Sequence, residues 1–222
     1  MAQNISHAVM AQRVESNESL DDFPTPPWAT RALIEEVLGV EEVKNTSCLE
    51  PACNRGYMAK PLKEYFSSVT SSDVYDYGFG EVKNFLDRGY EENSFDWVIT
   101  NPPFKLAEEF ITEGLRIAKK GVAMLTRTVF IESVGRYQRL FEPNPPTKFA
   151  QFVERVPMVK GRLDKKASTA TGYCWIIWTI RKEDGPPALV WIPPCRKRLE
   201  RSSDYQSDTV SSQKDMFGGG NE

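Results

Sequence analysis

The chain has 222 residues, 40% of them apolar and 27% charged, with a formal net charge of −3. That length supports one domain with a full-sized core and leaves little for a second. No apolar run approaches the ~20 residues of a membrane span and no basic-then-apolar leader opens the chain, so the expectation is a cytoplasmic protein without a membrane partner.

Scarcity is informative as well. The single histidine, His7, lies in a polar N-terminal stretch, which all but excludes histidine triads, proton shuttles and metal sites. Cys48, Cys53, Cys174 and Cys195 lack paired metal spacing, and four cysteines are few for a disulfide framework in a chain this long. No metal site is expected. Two basic clusters, Lys160, Arg162, Lys165 and Lys166, and Arg196, Lys197, Arg198 and Arg201, qualify the acidic net charge.

In chain order, residues 1–20 read as a flexible tail. Phe23-Pro24-Thr25-Pro26-Pro27 is a rigid, extended lead into a helix from Trp28, whose face is Leu33, Ile34, Val37 and Leu38 and which Gly39 ends. Ser47-Cys48-Leu49 suits a buried strand. A helix is expected over Tyr57–Phe66, limited by Pro61, then a strand over Val69–Val74. Phe95–Thr100 is a third strand, stopped by Asn101-Pro102-Pro103-Phe104. Leu106, Phe110, Ile111, Leu115 and Ile117 recur at helical intervals before a strand over Val122–Thr126. Strands over Phe149–Val156 and Tyr173–Ile180 are close enough to form an antiparallel pair. Strands alternating with helices predict a parallel α/β sheet covered on both faces.

In such a sheet, ligands bind beyond the carboxyl ends of the strands, where Glu50-Pro51, Asp73 and Asn101-Pro102-Pro103-Phe104 all fall. The first turn lacks the three-glycine dinucleotide fingerprint, which disfavours a nicotinamide enzyme. Gly56 allows close backbone approach, and Asn54 enters a left-handed conformation more readily than most residues. Asp73 follows at the ~20-residue spacing of a carboxylate that grips ribose hydroxyls. Consecutive prolines fix the main chain after a buried strand, leaving carbonyls and the Asn101 amide beside the Phe104 ring. Two acceptors next to a stacking platform suit a planar substrate carrying an NH2 group.

Asn101-Pro102-Pro103-Phe104 resembles the catalytic motif of S-adenosylmethionine-dependent amino-group methyltransferases of DNA. Leu49-Glu50-Pro51-Ala52-Cys53-Asn54-Arg55-Gly56 is similar to their cofactor loop, with Asn54 where the first of two glycines usually stands. Asp73 falls at the family's ribose-binding acid. Asn84-Phe85-Leu86 looks like its adenine-binding element, with Asn84 in place of the acid. Thr25-Pro26-Pro27, with Trp28 after it, is similar to the element that closes over the methionine end of the cofactor.

The order of these elements looks like the adenine-modifying group, and the short chain is most like the small enzymes of phages and prophages. The resemblance implies a Rossmann-like class I fold, a mostly parallel seven-stranded sheet with an antiparallel terminal strand, over residues 21–201. Residues 202–222 are then a disordered tail. It implies S-adenosyl-L-methionine as cofactor and methyl transfer to the 6-amino group of adenine in DNA, with the base swung out of the duplex. Residues 131–172, with Arg136, Arg139, Lys160, Arg162, Lys165 and Lys166, are assigned to the DNA-facing surface. An RNA base, a protein glutamine, or a fold kept for binding alone are the alternative readings. In the tail, Gln213-Lys214-Asp215-Met216-Phe217 resembles the short peptide that binds the bacterial sliding clamp, with Lys214 departing at its second position.

Overall fold

The computed structural model describes residues 21–180 and 185–205. His7 and the Gln213–Phe217 peptide lie outside the described residues.

The strands are β1 (Ser47–Glu50), β2 (Ser68–Asp73), β3 (Glu81–Val82), β4 (Phe95–Thr100), β5 (Ala118–Arg127), β6 (Lys148–Phe152), β7 (Tyr173–Thr179) and β8 (Ala188–Ile192). They form one sheet in the order β3-β2-β1-β4-β5-β7-β6-β8. Neighbouring pairs from β3 to β5 are parallel, β7 runs antiparallel to both β5 and β6, and β8 is parallel to β6. The mixed α/β class is the one expected, but the sheet has eight strands rather than seven. The reversed strand also sits inside the sheet, with β6 and β8 beyond it. β8 is a short apolar run between two proline pairs, Pro186-Pro187 and Pro193-Pro194, which by itself reads as a linker; its pairing with β6 makes it a strand.

Side chains alternate across the sheet. Cys48, Trp97, Ile99, Ala123, Leu125, Trp175 and Ile177 belong to one buried cluster. Leu49, Val98, Val122, Met124, Ile176 and Trp178 belong to the other. With both faces covered, the central strands carry near-continuous apolar sequence. On the first face lies α1 (Pro27–Leu33), continued by a wider helical turn over Ile34–Leu38. Gly39 ends it at φ 91°, a backbone few other residues adopt. Then come α2 (Val40–Val43) and α3 (Ala59–Leu62). α3 is shorter than the expected Tyr57–Phe66 helix, and Pro61 sits within its first turn, where a missing N–H is tolerated. The other face takes α4 (Ala107–Ile117), which buries Ala107, Phe110, Ile111, Gly114 and Ile117 at helical spacing. α5 (Val134–Arg136) and α6 (Arg196–Leu199) are short.

The expected 149–156 strand stops at Phe152. Ser202–Tyr205, expected to open a structureless tail, form a helical turn instead. Asp204 pairs at 2.8 Å with Arg31, which also pairs at 2.8 Å with Glu64. Arg31 is only 3% exposed, and a buried guanidinium needs such partners. No helix among the described residues is long and apolar enough to cross a membrane.

Candidate active site

From β1 the chain moves outward through β2 to β3 and then crosses back to β4. The strand order therefore reverses between β1 and β4, and a crevice opens beyond their carboxyl ends. A cavity of about 280 Å³ occupies it. Glu50 ends β1, Asp73 ends β2, and Asn101 follows β4 directly; all three line this cavity.

Pro51, Thr25, Asn84 and Pro103 line it as well. So does Leu86 of the Asn84-Phe85-Leu86 element, along with Asp21, Phe23, Tyr57, Met58, Tyr77, Leu106 and Phe110, which sequence reasoning did not assign to the site.

The turn after β1 is built on two left-handed residues, Asn54 at φ 47° and Gly56 at φ 81°. A β-carbon on Gly56 would lie 2.6 Å from the Phe79 ring, so the position tolerates little beyond glycine. Asn54 does what its sequence position asks and adds more. Its backbone N–H donates to Asp73 Oδ2 at 2.9 Å, and its side-chain Nδ2 donates to Asp22 Oδ1 at 2.7 Å. Its Oδ1 accepts the Arg55 N–H at 2.7 Å. Arg55 in turn pairs with Asp22 at 3.1 Å. Asp22 is thereby tied across the turn after β1.

The same leading segment reaches the Asn101 motif. Asn101 Nδ2 donates to the Phe23 carbonyl at 3.0 Å, and the Phe104 N–H donates to Asp21 Oδ2 at 2.6 Å. Met158, from the loop after β6, contacts Asn101 Nδ2 at 3.9 Å. With its NH2 so engaged, the Asn101 side chain presents Oδ1, which is buried and has no hydrogen-bond partner. Glu50, 1% exposed, likewise has Oε2 buried without a partner. Orphaned acceptors of this kind are costly in a finished core and mark places where a ligand completes the bonding.

Charge follows burial. Desolvation, then the charge of Asp73, pushes the Glu50 carboxyl well above its ordinary pKa. Burial raises Asp73 too, opposed by hydrogen bonds from the backbone of Asn54, Tyr75 and Val74. Cys53 is pushed up to about 12 by burial and by the charges of Glu50 and Asp73, which keeps it an unreactive thiol. Tyr77 is raised to about 12 by burial, Asp22 and Asp73. The cavity thus offers hydrogen-bond acceptors and aromatic walls rather than a nucleophile. Among the described residues, no cluster of three histidine, cysteine or acidic residues could hold a metal ion.

Several expected site residues lie elsewhere. Trp28 is fully buried in the core, edge-on to Phe152 at 5.6 Å, and Pro26 lies at the head of α1, where it too is away from the cavity wall. Phe85 packs beneath the cavity against Phe110 at 4.9 Å. Asn84 caps the turn Phe85–Asp87, accepting the Leu86 N–H at 3.1 Å and donating to Asp87 at 2.7 Å. Pro102 and Phe104 line a second, smaller cavity. Asp76 is not among the residues lining the first cavity, whereas Asp73 is.

Most of the basic side chains are matched internally. Arg136 and Arg139 pair with Glu108 at 3.3 and 3.0 Å, and Arg162 with Asp164 at 3.2 Å. Arg196 pairs with Glu200 at 3.0 Å, Arg198 with Glu35 and Glu36, and Arg201 with Glu64 at 2.9 Å. Their pull on a phosphate backbone is correspondingly reduced.

No family model and no curated protein matches the sequence. Solved structures do. A candidate RNA methyltransferase from Pyrococcus horikoshii superimposes with a TM-score of 0.51 at 16% identity, covering 71% of this chain and 86% of that one. The modification subunit of a candidate type I restriction enzyme from Vibrio vulnificus gives 0.52 at 14% identity, covering 84% of this chain and 50% of that one. This chain therefore spans half the length of the Vibrio subunit. These likenesses establish the fold, a Rossmann-like α/β sheet of the kind these neighbours have.

Proposed function

We propose that the chain is an S-adenosylmethionine-dependent methyltransferase that acts on the exocyclic 6-amino group of adenine in DNA. The observation that carries this reading is one cavity, at the point where the strand order reverses, that gathers Glu50 and Asn101, each with an unpartnered buried oxygen, and Asp73. A turn that only small or left-handed residues can make walls it. Those features suit a ligand with hydroxyls and a positive charge. Asp73 would accept the ribose hydroxyls. Glu50 would face the cationic part, and Thr25 would stand at the methionine end. When bound, S-adenosylmethionine supplies an electrophilic methyl group on a sulfonium.

The protein's own part is positioning. An adenine amino group is a weak nucleophile because its lone pair is delocalised into the ring. Asn101 Oδ1 and the Pro102 carbonyl would accept its two N–H bonds, drawing the nitrogen towards tetrahedral and localising the pair. Orientation and fixed dipoles then carry the rate, which suits a site without imidazole. Asn54 supports an active enzyme over a fold kept for binding alone, because it keeps the left-handed turn that a glycine would provide.

The Vibrio subunit belongs to a candidate restriction enzyme and the Pyrococcus protein is a candidate RNA enzyme. The test therefore compares radiolabelled methyl incorporation into duplex DNA, total RNA and protein. The expected result is label in DNA, recovered as 6-methylaminopurine; label confined to RNA or to protein glutamine would refute the assignment. The Gln213–Phe217 peptide belongs to the same proposal as a tether to the sliding clamp, raising the enzyme's effective concentration near DNA. A peptide covering residues 208–222 should bind purified clamp, and changing Met216 and Phe217 to alanine should abolish binding.

A further inference from the structure

Pro102 and Pro103 set the chain so that Phe104, its ring 5.8 Å from that of Phe23 in the wall of the first cavity, lines a second, of about 160 Å³. Aromatic and aliphatic side chains make up most of its wall, from Pro102, Phe104, Val129 and Phe130. Its lining holds two arginines, Arg127 and Arg136, and no carboxylate. An aromatic slot with guanidinium groups and no acid fits a planar ring joined to an anionic group, the chemistry of a nucleotide.

The two arginines are in different situations. Arg136 is committed: it pairs with Glu108 at 3.3 Å, donates to the Phe130 carbonyl and lies 3.9 Å over the Phe130 ring. Arg127, the last residue of β5, lies with its guanidinium carbon 4.1 Å from the centre of the Phe104 ring. Its Nε is buried without a hydrogen-bond partner. The attraction of a cation for a ring is modest, whereas a buried donor without an acceptor is costly. Arg127 therefore rests in a place it can leave when an acceptor atom arrives.

We propose that Arg127 covers the stacking face of Phe104 in the free protein and yields it to an incoming purine, its guanidinium then binding that nucleotide's phosphate. The proposal rests on the methyltransferase reading and narrows its acceptor. A purine brings both a ring that replaces the guanidinium on Phe104 and a phosphate that satisfies the released donor. A glutamine side chain brings neither. Arg127 is thus a specificity-determining residue, and Phe104 becomes a base platform only after it moves.

The test uses the full chain and a single-stranded trinucleotide with 2-aminopurine at its centre, whose fluorescence is quenched by stacking. A second probe carries neutral methylphosphonate linkages, keeping the ring and removing the charge. Wild type should prefer the charged probe by roughly tenfold, the size expected of one hydrogen bond to a charged group. Arg127→Ala should lose most of that preference while binding the neutral probe at least as tightly as wild type, because the ring no longer has to be uncovered. Arg127→Lys keeps the charge and should keep most of the preference. Phe104→Ala should lose the quenching with both probes. Weaker binding of the neutral probe by Arg127→Ala, or an unchanged preference in that variant, would overturn the role of Arg127 and leave the methyltransferase reading standing. No Phe104-dependent quenching in wild type would overturn the platform itself, while the methyl-incorporation comparison decides the methyltransferase reading separately.

Discussion

Asn54 is where the turn after β1 departs from the glycine of the motif it resembles, and replacing it separates backbone strain from side-chain bonding. Alanine at φ 47° meets a left-handed cost of about 1–2 kcal/mol, which asparagine largely escapes through its short polar side chain. Alanine also removes the bond to Asp22, which is charge-assisted, and the bond to the Arg55 N–H, both 2.7 Å. Both bonds are partly buried, so together they contribute about 2 kcal/mol. Asn54→Ala should therefore destabilise the fold by about 3 kcal/mol. Asn54→Gly keeps the turn and loses only the bonds, about 2 kcal/mol. Urea unfolding at equilibrium measures both. Calorimetric titration with S-adenosylmethionine should show affinity falling several-fold in each variant, since Asp22 loses its tie to residue 54. Equal destabilisation by alanine and glycine would refute the strain argument. A glycine variant as stable as wild type would refute the bonding argument.

Other changes probe the remaining walls of the site. Asn101→Ala should lower the rate of methyl transfer by about 10²–10³, the effect of deleting one hydrogen bond matched to the transition state. It should leave cofactor affinity nearly unchanged; activity within tenfold of wild type would count against the acceptor role. Asp73→Ala should weaken S-adenosylmethionine and its demethylated product to the same degree in calorimetry, because ribose contacts do not sense the sulfonium charge. Glu50 has a raised folded-state pKa, so its stabilising effect is fully present below the ordinary value of 4.5 and is lost as pH rises towards the folded value. Glu50→Gln should therefore raise the thermal midpoint of the ligand-free protein at neutral pH, raise it less near pH 4.5, and weaken cofactor binding. A midpoint lowered equally at every pH would show a purely structural carboxyl.

Glu50 and Asn101 were legible in the sequence because each follows a short apolar run that reads as a buried strand, and Asp73, which follows the polar run Ser68-Val69-Thr70-Ser71-Ser72, through its spacing from the first turn. In a parallel sheet the ends of such strands share one edge. The left-handed Asn54 was legible because few residues other than glycine adopt that backbone. Sequence was less informative about direction. Two consecutive prolines fix the path after Asn101, but only the folded chain shows that Phe104 lines the second cavity and lies under Arg127. Trp28 stands next to the Thr25-Pro26 element, yet its helical position points it into the core.

The strap of Asp21, Asp22 and Phe23 left no local signal, because its partners Asn54, Asn101 and Phe104 are 32 to 83 residues away. The basic clusters misled in the opposite sense. Glu200 lies within the second cluster, but its other acidic partners, Glu35, Glu36 and Glu64, are more than a hundred residues earlier and meet it only in the fold.

The central claim is adenine methylation, and its most direct measurement is nucleoside analysis by mass spectrometry of DNA from cells that lack adenine methylation of their own. Cells expressing the wild-type chain should yield N6-methyldeoxyadenosine, and cells expressing Asn101→Ala at the same level should yield little or none. DNA free of the modified nucleoside, alongside methylated RNA or protein that depends on Asn101, would contradict the account.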